Sequence, residues 1–218
     1  LVTHLGILFL LLAGFIKAYY SEDGHVTLFE GQKANTFESY HLWQVAILEK
    51  LDGGSIREIV VPEEDFAHAT GTEPARLTST ELPFALEISH FLPNTRVLPK
   101  GPMFEAALPV IDGFFLQGQP LEKENEANVA GAYAAVVDKS KGTRQEGILW
   151  GTARGPWTVS VDGKTFGIEL RRERYEMPFT IALDKFTKED HPRTAMAKAF
   201  SSDVTVTEGA SSRPVKIE

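Results

Sequence analysis

Cysteine is absent from the 218 residues, and that absence removes structural disulfides, thiolate metal sites, cysteine nucleophiles and covalent attachment of a c-type haem. Positive charge is also scarce. Lys and Arg number 22 against 30 Asp and Glu, a formal charge of -8, so no basic excess is available to neutralise phosphates and no nucleic-acid partner is expected. The familiar catalytic signatures are missing as well: there is no His-Glu-x-x-His, no Gly-x-Ser-x-Gly and no phosphate loop. Gly151-x-x-x-Gly155 lacks the lysine and the helix that a phosphate site needs. The histidines stand apart at 4, 25, 41, 68, 90 and 191, without metal-ligand spacing. His41 reads as sheet surface, and Glu63, Glu64 and Asp65 read as solvated loop charges rather than a site. No catalytic residue or bound metal is expected.

Long hydrophobic runs are scarce too, with one exception. Leu5 to Ile16 is unbroken and apolar, and Leu1 and Val2 extend it backward past Thr3 and His4. A full membrane span needs about 20 apolar residues, so the run is slightly short, and its first residue is Leu, as if the sequence began partway into a helix. A signal-peptide core or a buried soluble helix would also account for it. No small-x-small cleavage pattern follows, however, and Lys17 with Tyr19 and Tyr20 resembles an interfacial anchor. Residues 1-20 are therefore expected to form a transmembrane helix whose C-terminal end opens to the extracytoplasmic side. His4 would lie about 20 to 24 Å from the tyrosine pair at 1.5 Å per residue, well inside the hydrocarbon, where a histidine is a functional candidate. A histidine at the frayed cytoplasmic end is the alternative.

The whole chain is 43% hydrophobic and 24% charged, enough for a real core beyond the anchor, in residues 21-218. Short period-2 segments dominate. The expected strands are His25 to Gly31, Tyr40 to Leu48, Arg57 to Val61, Ala130 to Val137, Gln145 to Trp150, Trp157 to Val161 and Lys164 to Leu170. Asp162-Gly163 is a tight-turn dipeptide that joins the last two as a hairpin. Glu63 to Asp65 should cap a short helix carrying Phe66, Ala67 and His68. Residues 92 to 128, rich in Pro and Gly, read as a long surface excursion, in which Phe114-Phe115-Leu116 is either an exposed patch or a buried plug. Glu81 to Phe91 echoes Glu176 to Phe186, sharing Glu, Pro and both Phe positions, as a duplicated strand motif would. The expected fold is mainly β: an N-terminal transmembrane helix followed by an extracytoplasmic β-sandwich or barrel-like domain.

The stretch from Gly163 to Val206 concentrates pattern and unusual residues. Phe166, Ile168 and Leu170 alternate; Pro178 should interrupt; Phe179, Ile181 and Leu183 alternate again before the polar run Thr187 to Asp190 and the pair His191-Pro192. Within it the run LRRERYEMPFTIALDKFTKEDHPRTAMAKAFSSDVTV resembles the ResB family, membrane proteins of haem delivery in cytochrome c maturation. The matching positions are Leu170, Arg171, Arg174, Tyr175, Pro178, Phe179, Leu183, Asp184, Phe186, His191, Pro192, Thr194, Phe200, Ser201 and Ser202. Many relatives have Gly where this chain has Arg193, and Pro near Ala197. The family also has a short strand ending Glu-Gly after a helix, similar to Glu30-Gly31, and a His before a Leu- and Gly-rich helix, similar to His4.

That resemblance implies a membrane-anchored component of cytochrome c biogenesis, handling haem or chaperoning apocytochrome, in the inner (cytoplasmic) membrane with its main domain on the periplasmic side. It implies His4 as a candidate haem ligand and haem as a transient, non-covalent cargo. Arg171 and Arg174 are candidate partners for a carboxylate or a haem propionate. His191 is a further candidate, either a haem ligand or a loop residue. The partners implied are the membrane, other membrane subunits, c-type cytochromes or a haem-handling protein. The alternative reading is a non-catalytic accessory or docking subunit of a larger membrane redox complex.

Overall fold

The computed structural model describes residues 2–51 and 53–218. Leu1, Asp52 and the side chains of Val2, Ala18 and Tyr20 lie outside the described residues, and with them part of the expected 1-20 segment and half of its tyrosine pair. The chain is mainly β, with one α-helix and thirteen strands among the described residues. It divides into two compact units: residues 1–39 with 174–218, and residues 40–173.

In the first unit, α1 (Val2–Tyr20) leads into β1 (Gly24–His25) and the beginning of β2 (Lys33–Lys50). The large apolar side chains described in α1, from Leu5 to Ile16, are all exposed. Among the described residues no helix is long and apolar enough to cross a membrane. The continuously described side chains of α1 run from Thr3 to Lys17, about 22 Å of helix against a hydrocarbon core of about 30 Å. The unit is completed by the later part of β11 (Lys164–Asp190), β12 (Ala197–Glu208) and β13 (Ser211–Ile217). These three form an antiparallel succession. Pro178 does not interrupt β11, which runs through it as one strand. A proline withholds only its own N–H, and Pro178 stands just ahead of the ladder with β12, which starts at Thr180. The strand expected over His25 to Gly31 contracts to β1, because Val26 to Phe29 leave the sheet.

The second unit holds the rest of β2 and β11 with β3 (Ile56–Pro62), β4 (Ala75–Thr78), β5 (Phe84–Leu92), β6 (Thr95–Pro99), β7 (Phe114–Gly118), β8 (Gly131–Asp138), β9 (Arg144–Trp150) and β10 (Trp157–Val161). Two sheets supply its core. One face carries Trp43, Val45 and Ile47 of β2, Val159 and Val161 of β10, and Phe166, Ile168 and Leu170 of β11. The other carries Phe84, Leu86 and Ile88 of β5 with Ala132, Ala134 and Val136 of β8. The faces meet where Phe84 and Phe166 pack edge to face, centroids 5.1 Å apart. The hairpin expected at Asp162-Gly163 is present, with Val161 opposite Lys164 and φ of 50° and 75° at the two turn residues, as a two-residue turn with primed geometry requires.

Two other expectations are corrected in this unit. Glu63–Asp65 is a single turn of 3-10 helix, and no α-helix follows it before β4. The excursion of residues 92 to 128 contains a two-stranded sheet, β6 with β7, which the density of Pro and Gly around it conceals. Phe115 and Leu116 are buried there, whereas Phe114 is exposed. Gly151, considered above only as a phosphate-loop glycine, has a packing role: a Cβ would stand 2.2 Å from the Trp43 ring. Gly147 likewise lies under Trp157, at 2.3 Å.

Candidate functional site

An open groove of about 670 Å3 lies in the first unit, within the size range of small-ligand pockets. Its lining comes from Val26 to Glu30, from Ile181, Leu183 and Phe186 of β11, from Ser202 and Val204 of β12, and from Ile217 of β13. Strand register explains the hollow. Ile217, Ser202 and Phe186 stand directly opposite one another across the three strands. A serine between two large apolar side chains leaves space that a leucine would fill. The next row on that face is Val215, Val204 and Leu183, of which Val204 and Leu183 are buried and form the floor.

Leu183 and Phe186 are three residues apart, so a regular strand would send them to opposite faces. A β-bulge prevents this. Leu183 pairs with Val204 and Lys185 with Asp203, leaving Asp184 as the extra residue. The Asp184 carboxylate accepts a hydrogen bond from the Thr205 hydroxyl at 2.7 Å, which fixes the bulge. The wall opposite is held by backbone contacts: Gly31 N–H donates to the Leu183 carbonyl at 2.8 Å, and Leu183 N–H donates to the Gln32 carbonyl at 3.0 Å. Gly31 has a φ of 83°, a conformation glycine adopts without steric cost. Phe186 N–H donates to Glu30 Oε1 at 2.7 Å. The segment from Phe29 to Gln32 is thereby pinned along β11, and the groove lies beside it.

The candidate residues of the sequence fall elsewhere. His4 is exposed on α1, and neither it nor His191, Arg171 or Arg174 lines the groove. His191 sits in the connection between β11 and β12, where its N–H donates to the Met196 carbonyl at 2.9 Å and its carbonyl accepts from Thr194 N–H at 3.1 Å. Arg193 in that connection has a φ of 64°, the left-handed region that favours glycine. Arg171, in the second unit, pairs with Glu58 and, at 2.9 Å, with Glu169. Arg174, in the first unit, pairs with Glu38 at 3.1 Å. Both arginines thus hold carboxylates of their own unit.

The arginine between them carries more contacts. In the second unit Arg172 donates to the carbonyls of Tyr40 (2.7 Å), Asn125 (2.9 Å), Glu126 (3.3 Å) and Asn128 (2.7 Å). Its guanidinium carbon also lies 4.1 Å from the centre of the Trp43 ring. The backbone of Trp43 donates in turn to Glu63 Oε2 at 2.7 Å. Burial raises the Glu63 carboxyl above its ordinary value, and the Trp43 N–H works against that rise. Sequence offered no signal for this node, because four carbonyl partners leave no mark in residue identity.

The groove supplies a shape and an apolar wall but no Lewis base suited to iron. Its lining contains no histidine, methionine, tyrosine or cysteine. Among the described residues no group of three or more His, Cys, Asp or Glu is placed to hold a metal ion. A haem iron is therefore not accommodated by the groove's donors, whereas an apolar surface is. No protein-family model matches the chain, and no curated protein matches it.

Proposed function

We propose that this chain is a membrane-anchored, extracytoplasmic and non-catalytic component of cytochrome c biogenesis that handles haem or chaperones apocytochrome, with the first unit's groove as the surface on which an apolar cargo rests. One observation carries the reading: the segment that resembles the ResB family builds the groove, with Leu183, Phe186 and Ser202 in its lining and Asp184 making the bulge that aligns them. The exposed apolar side chains of α1 support insertion of that helix into the cytoplasmic membrane, since such a surface is stable only in lipid or against a partner. Because the groove has no iron donor, the candidate axial ligand is His4 on α1, and the groove's part is limited to apolar contact.

That same lack of a donor favours a second reading, a docking subunit of a larger membrane redox complex in which the groove receives an apolar segment of a neighbouring subunit. One experiment separates the two. The intact chain is purified from membranes and its visible absorption compared with that of His4→Ala. Haem-handling requires co-purified haem that is lost in the variant while the far-ultraviolet dichroism of the β units is retained. A wild-type chain free of haem, or a variant that keeps it, replaces that reading with the docking subunit.

A further inference from the structure

We infer that the groove face of the first unit is a second membrane-contact surface, which rests edge-on in the headgroup region of a zwitterionic bilayer. The inference deepens the membrane-anchored reading and rests on it. Its first ground is the apolar rim. Phe29 is 75% exposed, Phe200 55%, Ile217 54% and Phe186 48%, and three of these four line one groove. Phe186 and Phe200 also stack, centroids 6.0 Å apart, a diagonal pair on one face of β11 and β12. Large aromatic rings held at a water-exposed rim match the chemistry of the interface between headgroups and acyl chains.

The second ground is reach. Only Ser21 to His25 separate α1 from Val26, the first residue of the groove, so a fully extended link is about 20 Å long and Phe29 stands within about 30 Å of the helix end. With α1 in the bilayer, the groove cannot leave the neighbourhood of the membrane surface. A water-soluble partner would have to compete with lipid present at very high local concentration.

Charge decides which lipid. The acidic chain, at -8, gains nothing from an anionic surface. Three cations near this face are paired within the unit: Lys188 with Asp190 at 2.8 Å, Lys198 with Glu189 at 3.5 Å, and Lys216 with Glu218. Contact through aromatic and aliphatic side chains with a zwitterionic headgroup region is what remains.

The absence of cysteine gives a clean test. Single cysteines are placed at Phe29, Phe186 or Phe200 (F29C, F186C, F200C), in α1 (L8C) and on an exposed loop of the second unit (R154C). Each full-length variant is labelled with an environment-sensitive fluorophore and reconstituted into phosphatidylcholine vesicles with or without nitroxide-bearing lipid. The inference requires a blue shift and nitroxide quenching at positions 29 and 186 or 200, with position 154 unaffected. Quenching at position 8 without quenching at the groove positions overturns the inference, leaves the anchor standing and assigns the groove to a water-soluble partner. Lack of quenching at position 8 removes the anchor reading, and the groove labels then decide the surface contact alone: quenched, it stands without the anchor; unquenched, it falls.

Discussion

The guanidinium of Arg172 lies over the Trp43 ring at 4.1 Å and from there reaches four backbone carbonyls, so one side chain ties the second unit's part of β11 to the start of that unit's β2 and to the loop of residues 125 to 128. Arg172→Ala leaves those carbonyls without their charged donor and is expected to cost about 2 to 4 kcal/mol, from hydrogen bonds to a charged group plus the cation–π contact. Arg172→Lys should recover only part, since an ammonium cannot reproduce the planar fork. Urea unfolding of both variants checks the order. Equal stability of the alanine variant and the wild type would contradict it.

Glu49 gives the expected pH dependence of the second unit. It is 3% exposed and receives Lys164 Nζ at 2.8 Å and the Arg57 guanidinium. The Lys164 hydrogen bond, opposed by burial and assisted by Arg57, holds its carboxyl below the usual 4.5. A lowered acid contributes stability that is fully present above its unfolded value and is lost as pH falls through the folded one. Asp138 acts in the same direction, held down from 3.8 by the Lys141 N–H and the Ser140 hydroxyl. Thermal midpoints should therefore decline below about pH 4.5. Glu49→Gln should cost about 1.5 to 3 kcal/mol at pH 7 and flatten that acid limb. Parallel acid limbs in the two proteins would exclude Glu49 as a source.

Glu63 works with the opposite sign. Its raised carboxyl, half-buried beside Trp43, means that ionisation is less favourable in the folded chain than in the unfolded one. Its contribution is therefore full below the ordinary 4.5 and declines as pH rises through the folded value. Glu63→Gln should flatten this loss at neutral pH, although the Trp43 N–H keeps an acceptor. Comparison of the variant and wild type between pH 4 and 7 reads the difference, and curves of identical shape would refute it.

Ser202→Leu tests the origin of the groove. The leucine points into open space between Phe186 and Ile217, so stability should change by no more than about 0.5 kcal/mol, as for surface substitutions. Binding of an apolar fluorescent dye to the groove should be lost. Undiminished dye binding would mean that the hollow lies elsewhere.

Gly31→Ala is expected to cost about 1 to 2 kcal/mol locally, because φ at this position is 83° and an alanine there is strained. Its signature is faster amide exchange at Gln32 and Leu183, with the second unit's core amides unchanged. Uniform acceleration across both units would instead indicate global destabilisation.

The parts of the fold that sequence made legible are those set by neighbours in the chain. The alternation of Trp157 to Val161 and of Phe166 to Leu170, joined by Asp162-Gly163, specified a hairpin whose register the structure reproduces. Pro178 misled because a proline is read as a break, although a strand tolerates one wherever its missing donor is not needed. The hairpin of β6 and β7 was hidden for a related reason: five prolines and several glycines surround two short apolar segments, and only their pairing makes them strands. The groove was illegible in a stronger sense. It depends on Ser202 standing between residues of two other strands and on the bulge at Asp184 reversing the face of Phe186, and neither relation exists within a sequence window. Asp184 and Phe186 were singled out by resemblance, without any indication of why their spacing is two.

The second unit's core has a consequence for biosynthesis. Trp43, Val45 and Ile47 of β2 enter the same cluster as Phe166, Ile168 and Leu170 of β11, yet a ribosome adding about 5 to 20 residues per second delivers β11 roughly 6 to 24 seconds after β2. Through that interval β2 lacks β11, the strand that pairs beside it in the same sheet. Until Leu170 has been added, that edge of β2 presents unpaired N–H and C=O groups and is a template for pairing with another strand.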